Sequence, residues 1–366
     1  MNEYGSPSGV YLTPHRDEVP YRLVRIRADD TLAPAHPLLE HDLVRDEVSD
    51  RVLLRVRTAR RERPQQRVEA FNALDNEILA GVRLARAASG SAPAELSRLV
   101  GYHDDPAEPF ALLEPHVGEP LEALYRRRQL FDAERAAFRE GLLRALNWLR
   151  SCEVVHRDIR PGTVRWDPDL ARVQLCGFAH ATVAGTPRTA VGAEPWASHE
   201  QREGTGVCDP RDDVWSAGLV LFQALSGHDV RGGGVLPLED FPSLAVELSD
   251  VFAGTAAERP GADVLLSRFS GTATPYRHRM DAHLKPGRAE FLDRLGHKRE
   301  ASGYVAPRRA DEEGPAREPG GPAEPGSAPA DASRRPGGRR KPVLWAFYAL
   351  VPVLLAAAAI LFALTR

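Results

Sequence analysis

Between residues 51 and 57 the chain reads RVLLRVR, with arginines interleaved among Val and Leu, a pattern that fits a half-buried strand. VEAFNALDNEILAGVRLARAA (68–88) carries its apolar residues at helical spacing. PFALLEPHV (109–117) returns to a strand pattern, and after it DAERAAFREGLLRALNWLRSC (132–152) and DDVWSAGLVLFQALSG (212–227) are helical. Strands therefore gather in the first part and helices in the second. The predicted fold class is α+β over residues 21–270, with a small β-rich lobe and a large helical lobe.

The flanks read differently. Residues 1–20 are polar with scattered Pro and Gly, and are taken as a loose N-terminal segment. Residues 271–300 are ambiguous, although RAEFLDRLGHKRE (288–300) fits a short amphipathic helix. Residues 301–342 are rich in Pro, Gly, Ala and charge, too poor in large apolar groups to offset the entropy of ordering, and are expected to be a flexible linker with a basic end. Residues 343–364, VLWAFYALVPVLLAAAAILFAL, hold no charge. As a helix they would span roughly 33 Å, close to the hydrocarbon thickness of a bilayer. Five basic residues in RRPGGRRK (334–341) precede them and Arg366 follows. The positive-inside rule then predicts a single-pass transmembrane helix in the cell membrane, with the body cytoplasmic and the C-terminus outside.

With 366 residues, 43 % of them hydrophobic, the chain can bury a sizeable core. Its net charge of −3 leaves no global basic footprint, so no nucleic-acid partner is expected. Cys152, Cys176 and Cys208 fit no CxxC metal spacing, and reduced, buried thiols are the plain expectation.

Five motifs in order carry a resemblance. HRDIRPGT (156–163), LCGFA (175–179), GAEPWASHEQ (192–201), DPRDDVWSAGLVLFQALSG (209–227) and AERPGADVLL (257–266) are similar to the catalytic loop, the DFG segment, the end of the activation segment and two large-lobe motifs of bacterial Hanks-type Ser/Thr protein kinases. The resemblance implies a two-lobed protein-kinase-like fold. It implies that Asp213 holds the catalytic-loop backbone, that Glu200 pairs with Arg259, and that His156 and Phe178 stack between the lobes.

It also implies a damaged site. Asp158 stands where the family orients the substrate hydroxyl, and Arg160 replaces the catalytic-loop Lys; these two are the candidate catalytic remnants. Thr163 and Gly177 occupy the family's metal-ligand positions, so no metal site and no Mg²⁺ are expected. Arg55 stands at the phosphate-gripping Lys, with Glu77 as its helix partner, Asp75 as an alternative, and a solvated strand Arg as the plain reading. With Glu114, at a hinge near Glu114–Val117 expected to frame an apolar adenine slot, Arg55 and Glu77 make up the candidate nucleotide site. No Gly occurs between Gly9 and Gly81, and the stretch where the phosphate-covering loop belongs carries Asp29 and Asp30 instead. In the activation segment Ala193 and His199 depart from the family, while Arg157 is kept and Thr182, Thr186 and Thr189 are candidate phosphate acceptors for an active kinase, or simply threonines of a loop.

The expected function is that of a membrane-anchored cytoplasmic pseudokinase, a signalling or scaffold module with an unknown cytoplasmic protein partner. ATP binding is expected to be weak and insensitive to Mg²⁺. The alternatives are a catalytically active, divergent ATP-dependent Ser/Thr protein kinase and another transfer chemistry, such as nucleotidyl transfer, on the same fold.

Overall fold

The computed structural model describes residues 8–27, 36–59, 63–88, 93–230, 236–269 and 297. The chain divides into two units, Met1–Ala306 and Pro307–Arg366, and the described residues all lie in the first.

The small lobe is a barrel. Its strands are β1 (Ser8–Leu12), β2 (Glu18–Arg27), β3 (Leu39–Asp46), β4 (Arg51–Thr58), β5 (Leu99–His103) and β6 (Phe110–Leu113), closed in the order β1-β2-β3-β4-β6-β5. Strand β4 covers the RVLLRVR stretch and buries Leu53, Leu54 and Val56. Helix α1 (Pro64–Ala87) starts on a proline, whose fixed φ and missing N–H suit a first turn. It packs Leu74, Ile78 and Val82 against Leu54, Val56 and Leu113 of the barrel.

The reading of residues 1–20 as loose is corrected: β1 and the start of β2 fall within them. β1 lies antiparallel to β2 along its length and meets β5 at Leu12 and Tyr102. Gly101 permits this closure, because a Cβ there would sit 2.3 Å from the Tyr11 ring. Five residues containing Ser and Gly show no period of their own; their pairing across about 90 residues of chain supplies the order.

After β6 come β7 (Glu119–Pro120), α2 (Leu121–Tyr125), α3 (Asp132–Ser151), β8 (Val154–Val155), β9 (Val164–Asp167), β10 (Arg172–Leu175), β11 (Thr182–Val183), α4 (His199–Glu203), α5 (Pro210–Ser226), α6 (Pro242–Leu248) and α7 (Ala262–Arg268). The large-lobe core joins Phe138, Leu142, Leu146 and Leu149 of α3 to Val220, Leu221 and Phe222 of α5 and Leu265 and Leu266 of α7. Helix α5 opens with a reciprocal cap: Asp209 accepts from the Arg211 N–H, and the Asp212 carboxylate accepts from the Asp209 N–H. All three cysteines are free and buried.

Residues 271–300, apart from His297, and the proposed linker and membrane segment at 301–342 and 343–364 lie outside the described residues. Among the described residues, no helix is long and apolar enough to cross a membrane.

Candidate functional site in the cleft between the lobes

The catalytic loop leaves β8 and is fixed from below by α5. Asp213, fully buried, accepts the N–H of His156 at 2.6 Å and that of Arg157 at 2.8 Å. Those bonds hold Arg157 at a φ of +68°, a left-handed conformation uncommon outside glycine. His156 Nε2 donates to the Cys176 carbonyl at 3.2 Å, while its Nδ1 accepts the Asp158 N–H. Burial pushes His156 down to about 3, so the ring is neutral where it meets Phe178 at 4.6 Å between centroids. The three scaffold roles implied by the motifs are thus seen: Asp213 under the loop, His156 against Phe178, and Glu200 on Arg259 at 2.7 Å.

The groups that would act on a substrate are otherwise engaged. Asp158 accepts from Arg160 Nε at 2.9 Å. Burial raises its carboxyl, and the Arg160 charge and hydrogen bond oppose that rise. Thr163, fully buried, donates to the Asp158 carbonyl at 2.6 Å and accepts the Arg160 N–H, so its hydroxyl knots the loop. Gly177 has no side chain and sits at a φ of +80°. A divalent cation of the Mg²⁺ type needs hard oxygens, usually with one or two carboxylates. The side chains at these positions offer a committed hydroxyl, a carboxylate tied to Arg160, and a hydrogen. They do not fit such an ion.

The expected Arg55–Glu77 pair is also corrected. Arg55 donates to Asp42 of β3 at 3.1 Å. Asp42 stands directly opposite it in the strand register and further accepts from Arg57 at 2.9 Å and Arg25 at 2.8 Å. A carboxylate placed face to face across two strands is closer than one on a helix, so the strand Arg is taken up within the barrel. Glu77 accepts the backbone N–H of Phe178 instead, and its neighbour Asn76 donates to the Ala179 carbonyl at 2.8 Å. Asp75, the other candidate, is buried on the same helix. Helix α1 is therefore pinned to the CGFA segment without an arginine.

That pin has a pH signature. Burial pushes the Glu77 carboxyl from its ordinary 4.5 up to about 7, the Phe178 N–H opposing. Between those values the folded state holds a proton the unfolded chain has released, so stability falls as pH rises from about 4.5 to about 7. Asp213, pushed up by burial to about 7, acts in the same direction. Glu77→Gln is expected to flatten the melting temperature between about pH 5 and 8; a slope identical to that of the parent would show that Glu77 does not titrate in this window.

At the hinge, the expected apolar slot is a polar one. Arg165 of β9 and Gln174 of β10 face each other across their ladder, and each is only 7 % exposed. Gln174 Oε1 accepts the Val117 N–H at 3.0 Å. Arg165 donates Nε to the Val117 carbonyl at 3.0 Å and Nη2 to the Gly118 carbonyl at 2.6 Å. Hydrogen bonds from a charged donor contribute about 1.5–3 kcal/mol each, so this clamp is a substantial one. The rings of His41 and His116 lie 6.1 Å apart. Burial and then the nearby Arg165 charge push His41 down to about 4, and burial pushes His116 well below its usual value, so both are neutral at pH 7. Glu114 points away from this work, pairing with Arg98 at 3.3 Å and Arg51 at 3.5 Å.

In the activation segment, Arg157 reaches the Thr189 carbonyl and, at 3.1 Å, its hydroxyl. Thr189 is exposed. Thr182 and Thr186 bond to one another at 3.1 Å. Of the three threonines, Thr189 is the one that touches the retained Arg. The sequence reading missed Asp42, Arg165 and Gln174. Their signal was present as polar residues standing in otherwise apolar strands, EHDLV, VRW and VQL, whose partners only the strand register reveals.

Comparison with known proteins agrees with this architecture. Residues 72–233 match the family profile of the protein kinase domain. Sucrose non-fermenting protein kinase 1 of Fusarium virguliforme is 27 % identical over 149 residues, covering 39 % of this chain and 20 % of that protein. The SNF1-like protein kinase ssp2 of Schizosaccharomyces pombe is 25 % identical over 169 residues, 44 % of this chain and 28 % of its own length. Serine/threonine-protein kinase PknK of Mycobacterium tuberculosis is 34 % identical over 125 residues, 33 % of this chain and 11 % of PknK. The chain thus spans well under a third of each of these relatives. Residues 72–233 are thus similar to protein kinase domains, serine/threonine kinases among them.

Proposed function

We propose that this protein is a pseudokinase: a protein kinase domain that binds and signals without transferring phosphate. The observation that carries the reading is the state of the metal positions. Gly177 supplies no ligand, the Thr163 hydroxyl is spent on the catalytic loop, and the Asp158 carboxylate is held by Arg160. Phosphoryl transfer depends on positioning and charge neutralisation, and the loss of a single electrostatic stabiliser often costs about 10²–10³ in rate. The diversion of Arg55 to Asp42 adds a second loss.

On this reading the body acts in the cytoplasm as a signalling or scaffold module, tied to the cell membrane through residues 343–364. That charge-free run and the basic stretch before it support the attachment and its orientation. An active kinase would act on Thr189, whose phosphate would find the Arg157 guanidinium beside it and order the segment by charge-assisted bonds. Any ATP binding is weak and independent of Mg²⁺.

A second reading, a divergent active Ser/Thr kinase, is favoured by one observation: the catalytic loop keeps its Asp213 support, which presents Asp158 at the cleft. The two are separated by incubating the full chain with radiolabelled ATP, Mg²⁺ or Mn²⁺, and a generic protein substrate. The expected result is no label above that of the Asp158→Asn variant. Label in the parent that vanishes in Asp158→Asn would establish the second reading.

A further inference from the structure

Backbone groups of the hinge, beside which a kinase would hold adenine, are engaged by the protein's own side chains. The β9–β10 hairpin places Arg165 and Gln174 opposite each other on one face of a two-stranded ladder, and both reach the same stretch of hinge. The Val117 N–H is taken by Gln174, the Val117 carbonyl by Arg165 Nε, and the Gly118 carbonyl by Arg165 Nη2. A planar heterocycle at this hinge would need those backbone groups and flat apolar walls. It meets a buried guanidinium and the two imidazoles of His41 and His116. Farther along, His36, within the stretch where the phosphate loop belongs, meets His180, two residues after Phe178, at 4.8 Å between ring centroids. That contact joins the small lobe to the large one beside the CGFA segment.

We infer that Arg165 is a built-in hinge ligand, a specificity-determining residue that excludes adenine nucleosides and nucleotides from the cleft. It does so by supplying the donors that the hinge carbonyls would otherwise accept from a bound base. The inference deepens the pseudokinase reading and rests on it, because an active kinase must admit ATP. It also makes a chemical prediction. If Arg165 is withdrawn, the Val117 carbonyl becomes an acceptor without a partner, and a ligand that brings an N–H to it gains. Adenosine carries such a group in its exocyclic amine; inosine carries a carbonyl oxygen there and would be repelled. A site that needs a donor rejects the analogue lacking it.

The test is equilibrium dialysis of the full chain with radiolabelled adenosine and, separately, inosine. The parent is expected to bind adenosine more weakly than about 1 mM. Arg165→Met, which keeps length and removes the donors, is expected to bind adenosine at least tenfold more tightly than the parent and to prefer it to inosine. Gln174→Leu keeps the arginine and is expected to leave adenosine excluded; a melting curve for each variant establishes that it is folded. Should Arg165→Met not fold, Arg165→Leu combined with His41→Val carries the same expectation. Parent binding tighter than about 100 µM overturns the inference, as does a folded Arg165 variant no tighter than the parent. A gain in Gln174→Leu alone also overturns it, by moving the exclusion to the other strand. Because binding is read rather than transfer, this outcome is independent of the phosphate-label assay: a parent that labels substrate sinks the pseudokinase reading, whereas an unlabelled parent that binds adenosine sinks only the role of Arg165.

Discussion

Arg259→Ala is expected to destabilise the body by about 3–5 kcal/mol, the cost of breaking a buried ion pair, which lowers the melting temperature by roughly 6–20 °C for a domain of this size. The Arg259 side chain is fully buried. It holds Glu200 with two contacts, at 2.7 and 2.9 Å, approaches Asp212 at 3.8 Å, and donates Nε to the Ala253 carbonyl at 3.1 Å. Its guanidinium lies 5.1 Å over the Trp215 ring, so the truncation also removes packing. Glu200 would be left as an uncompensated carboxylate. Burial alone raises its carboxyl, and it is the Arg259 hydrogen bond that brings it below the usual range. Asp212 is less affected, because Arg188 holds it at 2.7 Å. Removing both charges together, in Arg259→Met with Glu200→Leu, is expected to recover much of the loss, since the penalty lies in the orphaned charge. Thermal melts of the parent and the two variants decide the matter; an Arg259→Ala cost under about 1 kcal/mol would place the pair with ordinary surface bridges.

Asp42→Ala is expected to cost about 3 kcal/mol, the low end for a broken buried pair, because only part of its arginine cluster is cut off from water. Asp42 itself is 1 % exposed, whereas Arg25 is 54 % and Arg55 17 % exposed. Arg25 can turn to solvent, so the stranded charge is mainly that of Arg55. A double-mutant cycle with Arg55→Leu is expected to show coupling of about 0.5–3 kcal/mol. The pH dependence has the opposite sign to that of Glu77. Burial raises the Asp42 carboxyl, but the hydrogen bonds and charges of Arg57 and Arg55 outweigh it and hold the group below its ordinary 3.8. Its contribution is present above about pH 3.8 and is lost as pH falls through the lower folded value. Urea titrations of the parent and Asp42→Ala at pH 7 and in acid should therefore converge at the acid end; curves that stay equally far apart would refute the linkage.

The long periodic segments were legible because their order is local. Helices α1, α3 and α5 and strands β4 and β6 announce themselves by repeating apolar positions, and the large-lobe motifs place Asp213, Glu200 and Arg259 by resemblance. What escaped was pairing at a distance. Arg55 reads as a kinase lysine with a helix partner until the register shows Asp42 opposite it. The hinge reads as an apolar slot because PFALLEP is apolar, and the polar groups that fill it come from a hairpin about 50 residues later. Strand β1 has too few residues for any period, and only its neighbours make it a strand.

The closed barrel has a consequence for how another protein could engage the small lobe. An open sheet offers two rows of unpaired amides and carbonyls, and an extended peptide can extend it by one more strand. β1 covers the edge of β2 along its length and meets β5 at Leu12 and Tyr102, so much of that edge is paired with the lobe's own chain. What this lobe offers besides is side chains on a curved wall, where Val10, Ile26 and Val52 are exposed apolar positions of β1, β2 and β4. A fragment beginning at residue 21 would lose β1 and uncover the edge of β2 that β1 pairs, inviting the self-association that β1 forestalls.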